Sequence, residues 1–147
     1  MSLLRQYRRY AAPDLAHYRR FVVAGRHVGW VKPELAQELA AHADIFQLTG
    51  NDLGMHPALT TADARSAAMA EILDGLRRAG RVPGWRNELY PVTQGFGETP
   101  LLVMERAAAP LFGVMAYGVN LNGFVGRGWE MKIWVARRAP TKSVDPN

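Results

Sequence analysis

The sequence predicts an α+β fold, with helices and strands intermixed along the chain. Thr60 to Ala79 carries helical start and stop signals around helically spaced apolar residues. Met115 to Ala139 has the period of two half-buried strands joined by Gly126-Arg127-Gly128. Short apolar runs bounded by turn formers, such as Phe21 to Val31 and Leu89 to Val92, add strands between the helices.

In chain order, Met1 to Tyr10 is basic and aromatic, and Arg5, Arg8 and Arg9 share the face of a frayed helix. Pro13-Asp14 opens a helix expected to reach Arg20, with Leu15, Tyr18 and Phe21 as its apolar stripe. Phe21 to Val31 reads as two strands around Gly25-Arg26. Pro33 begins a helix through about Ala41, burying Leu35, Leu39 and either Ala36 or Ala43. Ile45 to Leu48 is the next strand, and Thr49 to Pro57 is expected as a loop because it is rich in turn formers.

Thr60-Thr61-Ala62-Asp63 starts the long helix with a capping hydroxyl and an early acid. Gly80 ends it in the left-handed conformation that glycine tolerates. Ala68, Met69, Ile72, Leu73 and Leu76 form its expected core face. Arg77, Arg78 and Arg81 sit where cations oppose the helix dipole. A turn at Val82-Pro83-Gly84 precedes the strand Leu89 to Val92. Leu101 to Val103 is another strand, and Glu105 to Leu111 is an Ala-rich turn or helix stopped near Pro110. In the closing hairpin Met131, Ile133 and Val135 take one face and Lys132, Trp134 and Ala136 the other.

With 147 residues, 48% of them hydrophobic, the chain can bury a sizeable core. The lack of cysteine excludes a disulfide framework, thiolate zinc sites and a cysteine nucleophile. No apolar stretch reaches the roughly 18 residues of a spanning helix, and the N-terminus lacks a signal-peptide block. The expectation is a cytoplasmic protein with no membrane partner. The net charge of +5 is mostly arginine, in scattered pairs. It fits either affinity for polyanions or a dispersed surface charge.

Chemistry-bearing motifs are sparse. His17, His27, His42 and His56 have no ligand spacing, and the glycines form no phosphate-binding loop. Ser2, Ser66 and Ser143 lie outside any nucleophile elbow. The acids are scattered, so neither catalytic residues nor a metal site are assigned. Two constellations remain. Trp85-Arg86-Asn87-Glu88 combines an indole, a guanidinium, an amide and a carboxylate, a set able to stack on and hydrogen-bond a polar aromatic ligand. The plainer reading is a turn with a buried Trp85 and a local Arg86–Glu88 pair. Arg137-Arg138, followed by Thr141-Lys142, offers guanidinium recognition of phosphate, with only one of the two arginines on a given strand face.

Three blocks then fall in order: Gly84 to Tyr90; Glu105-Arg106-Ala107-Ala108 through Val114; and Tyr117 to Phe124, closed by Ile133 to Arg138 and Thr141-Lys142. They resemble the DUF4743-like, thiamine pyrophosphokinase-related domain that precedes a Nudix hydrolase domain in bacterial, fungal and plant proteins. The resemblance implies an accessory N-terminal domain over 1–110. Residues 111–147 would be the first strands of a Nudix domain cut before its glutamate-rich, magnesium-binding box. It further implies that the parent enzyme is a magnesium-dependent diphosphatase acting on a thiamine-diphosphate-like or nucleoside-diphosphate-like molecule. This chain would then hold no cofactor of its own and be inactive alone. Candidate substrate-binding residues are Trp85, Arg86, Glu88, Asn120, Asn122, Arg137, Arg138 and Lys142. Asn120 stands where the family usually has histidine. The expected role is substrate binding or dimerisation, a homodimer being the outcome if the apolar hairpin pairs with another copy. The competing reading is a stand-alone basic module that binds RNA or another polyanion through Trp30, Trp85, Trp129 and Trp134. Nucleic acid is the less favoured partner.

Overall fold

The computed structural model describes residues 14–119 and 121–137. The chain divides into two units, Met1–Met115 and Ala116–Asn147.

The first unit is α+β, as the sequence predicts. Its larger sheet contains β1 (Arg19–Val23), β2 (Arg26–Val31), β3 (Phe46–Thr49) and β4 (Asp52–Met55), in the order β2-β1-β4-β3. β1 and β2 form a hairpin on the two-residue turn Ala24-Gly25, both at positive φ. That geometry matches the twist of the flanking strands. β3 and β4 form a second hairpin on Gly50-Asn51. The two hairpins meet along a parallel pairing of β1 with β4, with Arg20, Phe21 and Val22 opposite Asp52, Leu53 and Gly54. Asp52 accepts from Nε and Nη2 of Arg20 at 2.6 and 2.7 Å. Those bonds, and then the carboxylate's charge, hold the Arg20 guanidinium above its ordinary pKa.

Two expectations fail in this sheet. The described part of Pro13 to Arg20 is a turn running into β1, not a helix. Asp14 Oδ1 accepts from the Ala16 amide at 3.0 Å, a local bond that competes with helical pairing. Within the expected loop Thr49 to Pro57, residues 52–55 are instead β4, a central strand. Leu53 and Met55 are buried in alternation, and pairing on both edges overrides the poor strand propensity of Asp52 and Gly54.

α1 (Pro33–Leu39) follows β2, with Pro33 in its first turn and Leu35, Ala36 and Leu39 buried. α2 (Ala62–Arg78) is the long helix. Thr61 Oγ1 accepts from the Ala64 amide at 3.1 Å, and Gly80 lies at φ +72° beyond its end. Met69, Ile72, Leu73 and Leu76 are buried along one stripe; Ala68 is half-buried.

α2 packs on the second sheet, formed by antiparallel β5 (Leu89–Val92) and β6 (Leu102–Glu105). Ser66 Oγ accepts from the Val103 amide at 2.8 Å and donates to the Ala62 carbonyl at 2.7 Å, tying α2 to the free edge of β6. A 3-10 turn at Arg106–Ala108 leads into α3 (Ala109–Phe112). Pro110 opens this helix rather than stopping it, because a first-turn proline lacks only a donor that needs no helical partner. Gly113 caps α3 at φ +54°.

The Gly113 cap lies directly against β2. A Cβ on Gly29 would stand 2.3 Å from the Phe112 carbonyl oxygen, and one on Gly113 would stand 2.5 Å from that of Trp30. Only glycine lets the two backbones come this close. The contact lets Phe112 reach the core, where its ring centre is 5.1 Å from that of Phe21. One apolar cluster results, joining Phe21, Phe46, Leu53, Met69, Leu73, Leu102 and Phe112.

The second unit contains β7 (Phe124–Val125) and β8 (Lys132–Ile133), antiparallel around Gly126 and a 3-10 turn at Gly128–Glu130. The hairpin exists, but its strands have two residues each where long alternating strands were expected. All the residues described between 116 and 137 are exposed, and two short strands alone are too small to bury either face of the alternation.

Candidate functional site

The chain leaves α2, turns at Gly80 and reaches Trp85 to Glu88, where the sequence placed its first constellation. Glu105, at the end of β6, organises this segment. It is only 5% exposed, and its carboxylate accepts from three backbone amides. Oε1 takes those of Arg86 and Ala107, and Oε2 that of Glu88, each at 3.2 Å. A buried charge is stable only when its lone pairs are met in this way. The Glu88 carbonyl in turn accepts from the Arg106 amide at 2.8 Å.

The side chains are then placed by local bonds. The Trp85 indole donates from Nε1 to Asn87 Oδ1 at 2.8 Å. Asn87 takes φ +57°, a conformation asparagine tolerates better than most residues. The Arg77 guanidinium lies 5.0 Å from the Trp85 ring centre, within cation–π range, so this arginine has a partner beyond the helix dipole. Glu88 does not pair with Arg86. It pairs with Arg106 at 2.6 Å, while Arg86 is exposed and contributes its backbone amide to Glu105.

Trp85 is half-buried and forms part of the wall of a cleft of about 400 Å³. Ala70, Leu73, Leu89 and Met104 supply apolar surface, and Ser66, Asn87 and Glu105 supply polar groups. This is the composition of a small-molecule site that accepts a ring and orients it with few polar contacts. Its charged member is an anion whose oxygens already hold the loop.

Of the other candidates, Asn122 and Arg137 are exposed in the second unit. Asn120, Arg138 and Lys142 fall outside the described residues. Among the described residues no three of His, Asp or Glu converge as metal ligands. No helix among them is long and apolar enough to cross a membrane.

Two buried charged residues that tie the first unit together escaped the sequence reading. Glu105 was expected at the start of an Ala-rich turn or helix, whereas it is the last residue of β6. Arg65 lies four residues before Met69 on the apolar stripe of α2, and an arginine at a core-facing helical position was the available signal.

A sequence family described as a domain of unknown function, DUF4743, matches residues 1–116. The chain belongs to this family. The DUF4743 chain is 33% identical over 141 residues to Nudix hydrolase 20, chloroplastic, of Arabidopsis thaliana, covering 90% of this chain and 38% of that protein. It is 33% identical over 134 residues to Nudix hydrolase 24, chloroplastic, of the same plant, covering 90% of this chain and 37% of that protein. An uncharacterised protein of Saccharomyces cerevisiae is 39% identical over 67 residues, which are 44% of this chain and 19% of the yeast protein. The DUF4743 domain is thus one found in proteins named Nudix hydrolases, and the chain spans less than two-fifths of the length of the two plant relatives.

Proposed function

We propose that this chain is the accessory part of a Nudix diphosphatase and that the Trp85 cleft binds the organic portion of its substrate. The observation that carries the reading is the cleft itself: an indole fixed by Asn87 and Arg77, apolar walls, and a carboxylate at one side. Apolar walls and an aromatic edge favour a heteroaromatic ring. A cleft whose charged group is Glu105 repels a diphosphate, so the phosphates are handled elsewhere in the enzyme. The substrate class is thiamine-diphosphate-like or nucleoside-diphosphate-like.

Among the described residues no three acidic or histidine side chains come together. In this reading the metal and the hydrolytic step belong to the Nudix box of the full enzyme, and this chain supplies binding and orientation. The exposed Val119, Leu121, Phe124, Trp134 and Val135 of the second unit support that assignment. So much uncovered apolar surface fits strands that lie under the remainder of a Nudix sheet. Arg137, Arg138 and Lys142, which follow in the sequence, would meet the phosphates.

The test titrates the chain with thiamine diphosphate and with ADP by calorimetry and assays phosphate release with magnesium. Binding of at least one nucleotide or thiamine ligand, weakened about tenfold or more by Trp85→Ala, is the expected result. Absence of binding to both ligands would refute the cleft assignment. Robust magnesium-dependent phosphate release by the chain would refute its accessory status.

A further inference from the structure

A second cavity, about 460 Å³ in volume, lies elsewhere in the first unit. Val22, Gly54 and Gln47 are register neighbours across β1, β4 and β3 and form part of its lining. His56, Thr60 and Arg65 complete its polar side. Arg65 is 8% exposed, and no carboxylate among the described residues pairs with it. Its Nε donates to the Leu101 carbonyl and its Nη1 to the Leu59 carbonyl, both at 2.8 Å. Those two bonds fix the plane of the guanidinium, and Nη2, which has no described acceptor, keeps access to solvent, because no buried side-chain nitrogen among the described residues lacks a partner. A guanidinium anchored at Nε and Nη1 with water at Nη2 can exchange that water for an anionic oxygen in a charge-assisted bond. His56 accepts the Ala58 amide on Nδ1 at 3.2 Å, which places the proton on Nε2 and makes the ring a second donor.

We propose that this cavity is a binding site for a small molecule carrying an anionic oxygen group, phosphate or carboxylate, on a compact and partly apolar body. Arg65 takes the anion end-on through Nη2. His56 and Thr60 add donors, and Val22 and Met55 meet the apolar part. The site is separate from the Trp85 cleft and does not depend on the reading of that cleft.

Gly54 supplies a clean test. Its backbone is not at positive φ, and a Cβ there would meet only Gln47, at 3.8 Å and 3.9 Å, an ordinary contact. Gly54→Val therefore narrows the cavity without disturbing the ties of Arg65, and valine suits a strand. Gln47→Glu places a like charge at the rim. The experiment titrates the isotope-labelled chain with inorganic phosphate and, separately, with butyrate, following the Arg65 Nε–H signal and the amides of His56, Ala58, Leu59 and Thr60. Saturable shifts at these signals with either probe are expected, and the probe that binds more tightly identifies the anionic group. Gly54→Val and Gln47→Glu should each weaken binding about tenfold. Both variants should keep the remainder of the wild-type spectrum. The proposal is overturned if neither probe moves these signals. It is also overturned if the shifts spread over the surface arginines and survive in both variants.

Discussion

Replacing Glu105 by glutamine tests whether this one carboxylate holds the Trp85 loop. The substitution preserves shape and removes one acceptor oxygen. If the amide carbonyl takes the Oε1 position, the bonds from Arg86 and Ala107 survive with a neutral acceptor. The amide nitrogen then faces the Glu88 N–H, donor against donor. Losing a bond to a charged acceptor costs about 1.5–3 kcal/mol, and weakening the other two adds roughly 0.5–1 kcal/mol each. The sum is about 2.5–5 kcal/mol, or roughly 7–15 °C in Tm at about 3 °C per kcal/mol for a chain of this size. Thermal unfolding measures the total, and hydrogen exchange at the Glu88 amide locates it, since that amide should lose most protection. Glu88→Gln is the control. It removes only an ion pair whose side chains are 54% and 46% exposed, and should shift stability by less than about 1 kcal/mol. A Glu105→Gln protein melting within about 2 °C of wild type would refute the idea that the carboxylate organises this segment.

Ala24 sits at φ +49° in a two-residue turn where asparagine is strongly preferred. Ala24→Asn should stabilise the chain by roughly 0.5–1 kcal/mol in denaturant unfolding, an unusual gain for an exposed site. Gly29→Ala should have the opposite effect. Its methyl would collide with the Phe112 carbonyl, and separating β2 from α3 should cost about 3 kcal/mol or more, read as a lower denaturant midpoint with an unchanged slope.

The parts of the fold legible in the sequence are those governed by neighbours in the chain. Thr61 and Gly80 mark α2 because capping is local, and Pro33 marks α1 for the same reason. The first hairpin is local too, although the sequence placed its turn at Gly25-Arg26, one residue beyond the observed Ala24-Gly25. β4 was hidden because Asp52-Leu53-Gly54-Met55 becomes a strand only through partners on both sides, one of them more than thirty residues earlier in the chain. At the candidate site, Trp85 and its neighbours drew notice through their mixture of side chains. Glu105 could not, since it acts on backbone amides seventeen to nineteen residues away. Arg65 was a missed opportunity, because an arginine within an apolar stripe is itself a departure from pattern.

The β1–β4 pairing has a further consequence. Each half of the larger sheet closes through its own tight turn, and a seam of three residue pairs joins the halves. Ala40 to Asp44 connects α1 to the second half and does not itself contribute a strand. Breaking the polypeptide there would leave two fragments that each retain their own hairpin, so the larger sheet is a natural place to split the protein and recover it by mixing the pieces.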